Sequence, residues 1–163
     1  MSTNACIAKR TANGWQGVIH HFDGYPSGLG KAIWNCVKHF NGNWARATEY
    51  LIDDHPAGWS SICEADFSKE PGFVEHGSHA SNSPKCYCHG DRHDEPDMIY
   101  EGELEDTSCR WLYIIDQGVL EIYKVENAEL TRIADASFRV EFEDDDWEML
   151  DNHPRLITSK RVS

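Results

Sequence analysis

Basic residues are scarce in this 163-residue sequence. It contains 15 lysines and arginines against 28 aspartates and glutamates, which gives a formal net charge of −13. A conventional nucleic-acid-binding protein neutralises phosphates with clustered cations, so the shortage of cations argues against that class. The acidity is compatible with high solubility, with binding to a positively charged protein, or with a surface that imitates nucleic acid.

Long hydrophobic runs are also missing. No stretch approaches the roughly 18–20 consecutive apolar residues of a membrane-spanning helix. The first ten residues lack the basic region and apolar stretch of a signal peptide. We therefore expect no membrane association and a location in the cytoplasm, with reduced cysteines at positions 6, 36, 63, 86, 88 and 109.

No complete catalytic or nucleotide-binding motif is present. The sequence has no HExxH helix and no GxSxG elbow. Gly24 and Gly30-Lys31 resemble a phosphate loop, but five residues separate the glycines instead of four, and Ala32 stands where a hydroxyl should reach magnesium. A weaker interpretation remains, in which Gly28, Gly30 and Lys31 bind an anion at a helix start. The alternative is that the glycines only allow the turn to pack closely.

Apolar periodicity and turn residues predict one α+β domain over residues 1–152 and a polar tail at 153–163. We expect a mainly antiparallel sheet with two N-terminal helices packed on one face. Ser27 and Asn43 are the expected caps of these helices. The predicted strands span 2–9, 15–22, 109–116, 119–125, 132–134 and 138–142; the predicted helices span 27–40, 44–53 and 143–150.

Residues 54–98 have little periodicity and contain a cluster of potential metal ligands, Cys86-Tyr87-Cys88-His89 and His93. Thiolates and imidazoles are the preferred ligands of zinc, and these four could form a tetrahedral structural site. The spacing is tighter than the usual Cys-x2–4-Cys, and an extended backbone would place both sulfurs on one face. Distant residues that could complete the site are Cys63, His76, His79 and Cys109. The alternative is a short strand with buried thiols and solvated histidines.

His21 and Asp23 form a second candidate site. On a continuous strand their side chains would share one face, and an aspartate can orient an imidazole for proton transfer. No nucleophile is identifiable beside them, so a structural hydrogen bond at the turn is the favoured interpretation.

The acidic residues are concentrated in the second half. Residues 95–151 contain 18 acids and four bases, whereas residues 1–94 contain ten acids and eight bases. A solvated surface explains such a distribution without any partner. An acidic surface presented to a basic partner is the functional alternative.

The segment His21-Phe-Asp-Gly-Tyr-Pro-Ser-Gly-Leu-Gly30 resembles an N-terminal H-x-D-G-Y-P-x-G-x-G signature of small, uncharacterised bacteriophage and bacterial proteins. Residues 86–89 and 111–116 are similar to the longer, actinobacterial-type members. The group has no established activity, so the resemblance implies a phage or bacterial setting and no catalytic residue.

Two functions follow as expectations. The first is a non-enzymatic binding or regulatory protein, such as a phage or prophage accessory protein that acts on a host protein with a basic surface. The second is a small metal-dependent enzyme or an anion- or nucleotide-binding domain. Its pocket would lie near His21, Asp23 and the 86–93 cluster.

Overall fold

A computed structural model describes residues 3–71, 82–88, 94–127, 129–139 and 142–152. Its strands are β1 (Ala5–Thr11), β2 (Gly14–His20), β3 (Trp59–Ser61), β4 (Lys85–Cys86), β5 (Ile99–Tyr100), β6 (Trp111–Asp116), β7 (Val119–Glu126) and β8 (Glu129–Ser137). Its α-helices are α1 (Lys31–His39), α2 (Trp44–Thr48) and α3 (Asp144–Asn152). Single π-helical turns at Pro26–Gly30 and Glu49–Asp53 precede α1 and follow α2, and a 3-10 helix spans Glu101–Asp106.

The strands form one mixed sheet in the order β4-β3-β2-β1-β6-β7-β8, and β5 also pairs with β2. Most neighbours are antiparallel, but β1 pairs with β6 and β2 pairs with β3 in parallel. The predicted α+β class with a mostly antiparallel sheet is confirmed.

The central strands are apolar on both faces. On β1 and β6, Ile7 and Tyr113 point toward the face covered by the helices, whereas Ala8 and Ile114 belong to a smaller apolar cluster on the other face. Strands that are buried on both sides have continuous rather than alternating apolar sequences, which explains runs such as Trp-Leu-Tyr-Ile-Ile. Apolar residues of α1, α2 and α3 share the first cluster.

Several local predictions are confirmed, including the β6–β7 hairpin and the cap of α2, where the Asn43 side chain accepts from the backbone N–H of Arg46. Ser27 is not a helix cap. The helical segment begins at Pro26, and the Ser27 backbone N–H and hydroxyl both donate to the carboxylate of Asp151 on α3.

The end of the sheet also differs from the prediction. Residues 132–134 belong to the much longer β8, and the strand predicted at 138–142 is wrong where the structure describes it, because Phe138 and Arg139 form a turn. The rings of Phe138 and Phe142 pack on Trp34 of α1, with centroids 5.3 and 5.5 Å away. The two phenylalanines therefore pack against the helices and do not form a strand of the sheet.

None of the described helices is long and apolar enough to cross a membrane. The predicted tail at 153–163 lies outside the described residues.

Candidate metal centre

Two cysteines lie close together at the end of the edge strand β4 and just after it. Cys86 pairs with Trp59 of β3, and the backbone N–H of Tyr87 donates to the carbonyl oxygen of Gly58 over 3.1 Å. β4 ends at Cys86, and Cys88 lies on the bend that follows, so strand alternation does not fix how the two side chains are placed. Their sulfurs nevertheless lie within 4.8 Å of each other. The Tyr87 ring meets that of His21 edge-on at 5.2 Å.

A histidine that follows α2 completes the group. The chain turns sharply at 55–58, where the Gly58 N–H donates to the His55 carbonyl over 3.0 Å and Gly58 has a φ of +87°. The turn lays the His55 ring against Trp59, 4.4 Å between centroids, and beside Tyr50 at 5.1 Å. His55 is only 3% exposed, so packing fixes its position.

The ligand atoms of His55, Cys86 and Cys88 all lie within 4.8 Å of one another. In a tetrahedral zinc site, metal–ligand bonds of about 2.0–2.3 Å put neighbouring ligand atoms about 3.5–3.8 Å apart. A contraction of about 1 Å would therefore bring these three donors within coordination distance of one ion and would leave the fourth tetrahedral position to another ligand. Two sulfurs and one imidazole nitrogen are the donor types of structural zinc sites. This group of His55, Cys86 and Cys88, called the metal centre below, could hold a metal ion.

The structure tests only part of the predicted ligand set. Cys86 and Cys88 come together, whereas His89 and His93 lie outside the described residues, as do His76 and His79. Cys63 is elsewhere, with its thiol against the carbonyl oxygens of Phe22 and Asp23. Cys109 belongs to the apolar cluster on the opposite face of the sheet.

Sequence reasoning missed His55 as a possible ligand. It is 31 positions from Cys86, and nothing in the spacing associates it with the Cys-x-Cys pair. A usable signal was present nonetheless. His55 closely follows a helical segment that ends at Asp53, and after it Pro-Ala-Gly forms a turn that leads directly into β3, the neighbour of β4.

His21 and Asp23 line different cavities. β2 ends at His20, and Asp23 adopts a left-handed backbone with φ of +56°, so strand alternation no longer relates the two residues. His21 and Tyr87 line a cavity of about 440 Å³ beside the metal centre. Asp23 accepts a hydrogen bond from the Tyr25 hydroxyl at 3.2 Å and faces a separate cavity of about 290 Å³.

The second cavity also contains Cys63, the only cysteine that approaches Asp23 among the described residues. Burial, together with the nearby carboxylates of Asp23 and Glu64, raises the pKa of the Cys63 thiol to about 11. The thiol is therefore protonated at neutral pH, which removes the nucleophilic thiolate that a cysteine-dependent reaction requires.

The glycine-rich turn is closely packed. A Cβ on Gly28 would overlap the carbonyl oxygen of Asp23, and a Cβ on Gly30 would come within 2.9 Å of the Trp147 ring. The Lys31 ammonium pairs with Asp144 at 2.6 Å. Close packing therefore accounts for both glycines, and Lys31 already has a carboxylate partner.

An exposed acidic segment follows the metal centre in the chain. Residues 94–106, called the acidic segment below, contain seven acids and no base: Asp94, Glu95, Asp97, Glu101, Glu103, Glu105 and Asp106. All seven are exposed. Within the described ranges, the six that follow Asp94 form no ion pair.

Backbone hydrogen bonds tie the start of this segment to both parts of the metal centre. The Asp94 N–H donates to the Tyr87 carbonyl over 2.7 Å, between the two cysteines, and the Asp97 N–H donates to the Pro56 carbonyl over 2.9 Å, next to His55. The residues next to the possible metal ligands thus position the start of the acidic segment.

Comparison with known proteins found no matching family model, no matching curated protein and no matching solved structure.

Proposed function

We propose that this chain is a non-enzymatic binding protein, in which a structural zinc ion holds an acidic surface in place for a positively charged protein partner. The observation that carries the proposal is the pair of hydrogen bonds that joins the acidic segment to the metal centre, from Asp94 to Tyr87 and from Asp97 to Pro56. Any contact that holds His55 against Cys86 and Cys88 also holds the start of the acidic segment.

Zinc suits the donor set and its surroundings. Two thiolates and an imidazole favour zinc over magnesium or calcium, which prefer oxygen ligands. His55 and Cys86 are buried, which fits a closed structural site better than an open catalytic one. A bound ion would cross-link β4 to the 55–58 turn and so reinforce the backbone hydrogen bond from Tyr87 to Gly58 and the pairing through the short strand β3.

Zinc content tests the first half of the proposal. Protein purified without added metal is expected to carry one zinc ion per chain by elemental analysis, and Cys86→Ser and Cys88→Ser are expected to lose it. Cys109→Ser, a cysteine change on the opposite face of the sheet, is the matched control and keeps the ion. His89→Ala and His93→Ala test the two remaining ligands proposed from the sequence. Substoichiometric zinc that a chelator leaves unchanged would contradict the metal site.

The acidic segment supports a basic partner. Its carboxylates are exposed, and those after Asp94 are not neutralised by any described base, so they retain their charge for a ligand. Complementary charge accelerates association and favours partners of opposite sign. The resemblance to phage and bacterial proteins supports a host protein as that partner.

Charge neutralisation tests the second half. We expect a partner captured from bacterial lysate at low salt to bind Glu101→Gln/Glu103→Gln/Glu105→Gln about tenfold more weakly, because each exposed ion pair contributes about 0.2–1 kcal/mol. The control Glu126→Gln/Glu129→Gln/Glu148→Gln removes the same charge from exposed positions elsewhere. Salt should weaken the wild-type complex most. An equal loss of affinity in both triple variants would show that only the net charge matters and not the acidic segment. If the chain captures no partner at low or at moderate salt, the proposal is contradicted.

A small-ligand site is the second candidate, favoured by the cavity of about 440 Å³ that His21 and Tyr87 line together with Asp94, Glu95 and Asp97. Its three carboxylates favour a cationic ligand over the anion or nucleotide suggested by the sequence. A thermal-shift comparison of spermidine with ATP separates these possibilities, because a ligand that binds the folded state raises the melting temperature with its concentration.

A further inference from the structure

The last strand of the sheet has one open edge. β8 is nine residues long, and among the described strands it pairs with β7 alone. An open edge presents a row of backbone N–H and C=O groups to which another strand can bind. Which strand it accepts depends on the residues that face outward and on their charges.

Strand alternation identifies the outward-facing residues of the first half of β8. The N–H of Val125 on β7 donates to the carbonyl of Arg110 over 2.9 Å, so the backbone groups of Val125 point away from β8. In an antiparallel pair, residues opposite each other exchange both backbone hydrogen bonds or neither. Leu130 lies opposite Val125 and therefore directs its N–H and C=O to the open edge. Arg132, two residues further on, does the same.

A β-bulge changes the alternation in the second half. The register with β7 shifts there, and Ile133 is the extra residue. Beyond it the Phe138 N–H donates to the Gly118 carbonyl over 3.0 Å, so the even-numbered residues face β7. Asp135 and Ser137 therefore face outward. The outward-facing positions of β8 are 130, 132, 135 and 137, and they are symmetric about the bulge.

This symmetry matches a second copy of the same strand. When two β8 strands pair antiparallel around a two-fold axis through the bulge, position 130 lies opposite 137 of the other copy and 132 lies opposite 135. No other antiparallel register of two copies matches all four outward positions. The axis brings Arg132 of each copy opposite Asp135 of the other, so two pairs of opposite charge form, and such cross-strand pairs are stabilising.

The Asp135 carboxylate is short of a hydrogen-bond donor in the single chain. One of its oxygens is buried and accepts no hydrogen bond from the described residues. Arg132 of the same chain is 3.7 Å from that oxygen, which is beyond hydrogen-bond distance. Buried polar atoms are nearly always hydrogen-bonded, and an exception calls for a missing partner. The arginine that a second copy places opposite Asp135 is such a donor.

We propose that two copies of this chain pair edge to edge through β8 and form one continuous sheet, with Arg132 of each copy opposite Asp135 of the other. The pairing would also cover part of Leu130, an apolar side chain that is 42% exposed in the single chain. No residue of β8 belongs to the metal centre or to the acidic segment, so this inference is independent of the proposed function.

Oligomeric state and charge exchange test the proposal. Light scattering after size-exclusion chromatography is expected to give twice the chain mass of 18.6 kDa for the wild type. Arg132→Asp puts like charges opposite each other at both pairs, and so does Asp135→Arg. The dimer dissociation constant of each variant is therefore expected to rise about 10–100-fold.

Mixing the two variants separates pairing between copies from pairing within one chain. In an equimolar mixture, each copy of Arg132→Asp meets a copy of Asp135→Arg, and both pairs of opposite charge are restored. The mixture should therefore form a heterodimer, although each variant alone does not dimerise well. A role of these two residues only within their own chain would leave the mixture monomeric and would overturn the proposal.

Leu130→Pro tests the backbone side of the pairing. It removes one N–H from the open edge and none that faces β7, and edge strands tolerate proline at such positions. The variant is expected to keep the circular dichroism spectrum of the wild type and to dimerise more weakly. A wild type that is monomeric at about 100 μM, too weak an association for a stable dimer, contradicts the inference. A wild-type dimer that Leu130→Pro and both charge changes leave intact would place the interface elsewhere, and contradicts it as well.

Discussion

Gly58→Ala is expected to lower the melting temperature by about 8–12 °C, a large effect for a single methyl group. Gly58 has a φ of +87°, and a Cβ there would come within 2.5 Å of the Ile19 carbonyl oxygen. A left-handed backbone costs a non-glycine residue about 1–2 kcal/mol, and forcing an added methyl into packed structure costs about 1–3 kcal/mol more. For a chain of this size each kcal/mol lowers the melting temperature by about 2–4 °C.

Gly42→Ala is the matched control. Gly42 has nearly the same φ, +83°, but a Cβ there would have nothing within 4 Å. Only the backbone cost applies, so its melting temperature should fall by about 3–5 °C. The difference between the two variants measures the contact with Ile19. Both melting temperatures are measured by thermal unfolding under the same conditions. Equal decreases in the two variants would show that the structure relieves the contact with Ile19 at no cost in stability.

Gly58→Ala should also weaken zinc binding. The Gly58 N–H closes the turn that begins at His55, and its carbonyl accepts from Tyr87 between the two cysteines. Displacement of this backbone therefore moves both sides of the metal centre apart. Gly42 has no contact with the site, so Gly42→Ala should retain full zinc content.

Local sequence signals predicted the elements whose causes are local. The hairpin around Gln117-Gly118 and the capped helix after Asn43 were found because turn residues and helix caps act on their immediate neighbours. Central strands were also recognisable, since burial on both faces leaves a continuous apolar run.

Pairing between distant segments was beyond such signals. β1 lies parallel to β6, with Cys6 opposite Leu112, and no residue type at position 6 specifies that neighbour. The prediction of the metal centre was limited in the same way. Cys86 and Cys88 were predicted together because an extended backbone would place both side chains on one side. His55 comes close to them only because β2, β3 and β4 are neighbours in the sheet, which no local spacing reveals.

The dyad proposed from His21 and Asp23 shows where periodicity misleads. Strand alternation was applied up to three residues past the end of β2, as far as the left-handed Asp23. The neighbouring residue His20 is fully buried, and this burial lowers the pKa of its imidazole.

Stability is expected to fall steeply between pH 6.5 and pH 3 because His20 is buried as a neutral imidazole. Its Nε2 accepts a hydrogen bond from the Ile62 backbone N–H over 2.9 Å, so the proton resides on Nδ1. Burial, and then the nearby His21, lower the pKa of His20 from 6.5 to about 3. A proton on Nε2 would also point at the Ile62 N–H, and the two donors would repel each other.

The direction follows from proton linkage. Below pH 6.5 the unfolded chain protonates His20 and the folded chain does not, so acid favours unfolding until the folded-state pKa near 3 is reached. One pKa unit corresponds to 1.36 kcal/mol. The His20 contribution to the free energy of unfolding should therefore fall by about 3 kcal/mol between pH 7 and pH 4.

His20→Gln isolates this contribution from the many carboxylates, which titrate alike in both proteins. The glutamine oxygen can occupy the position of Nε2 and accept from Ile62, but it does not take up a proton in this range. Urea unfolding at pH 7, 5.5 and 4 should show the wild type losing about 3 kcal/mol more than the variant. Parallel curves for the two proteins would mean that His20 is accessible to protons in the folded state, and would remove burial as the cause of its low pKa.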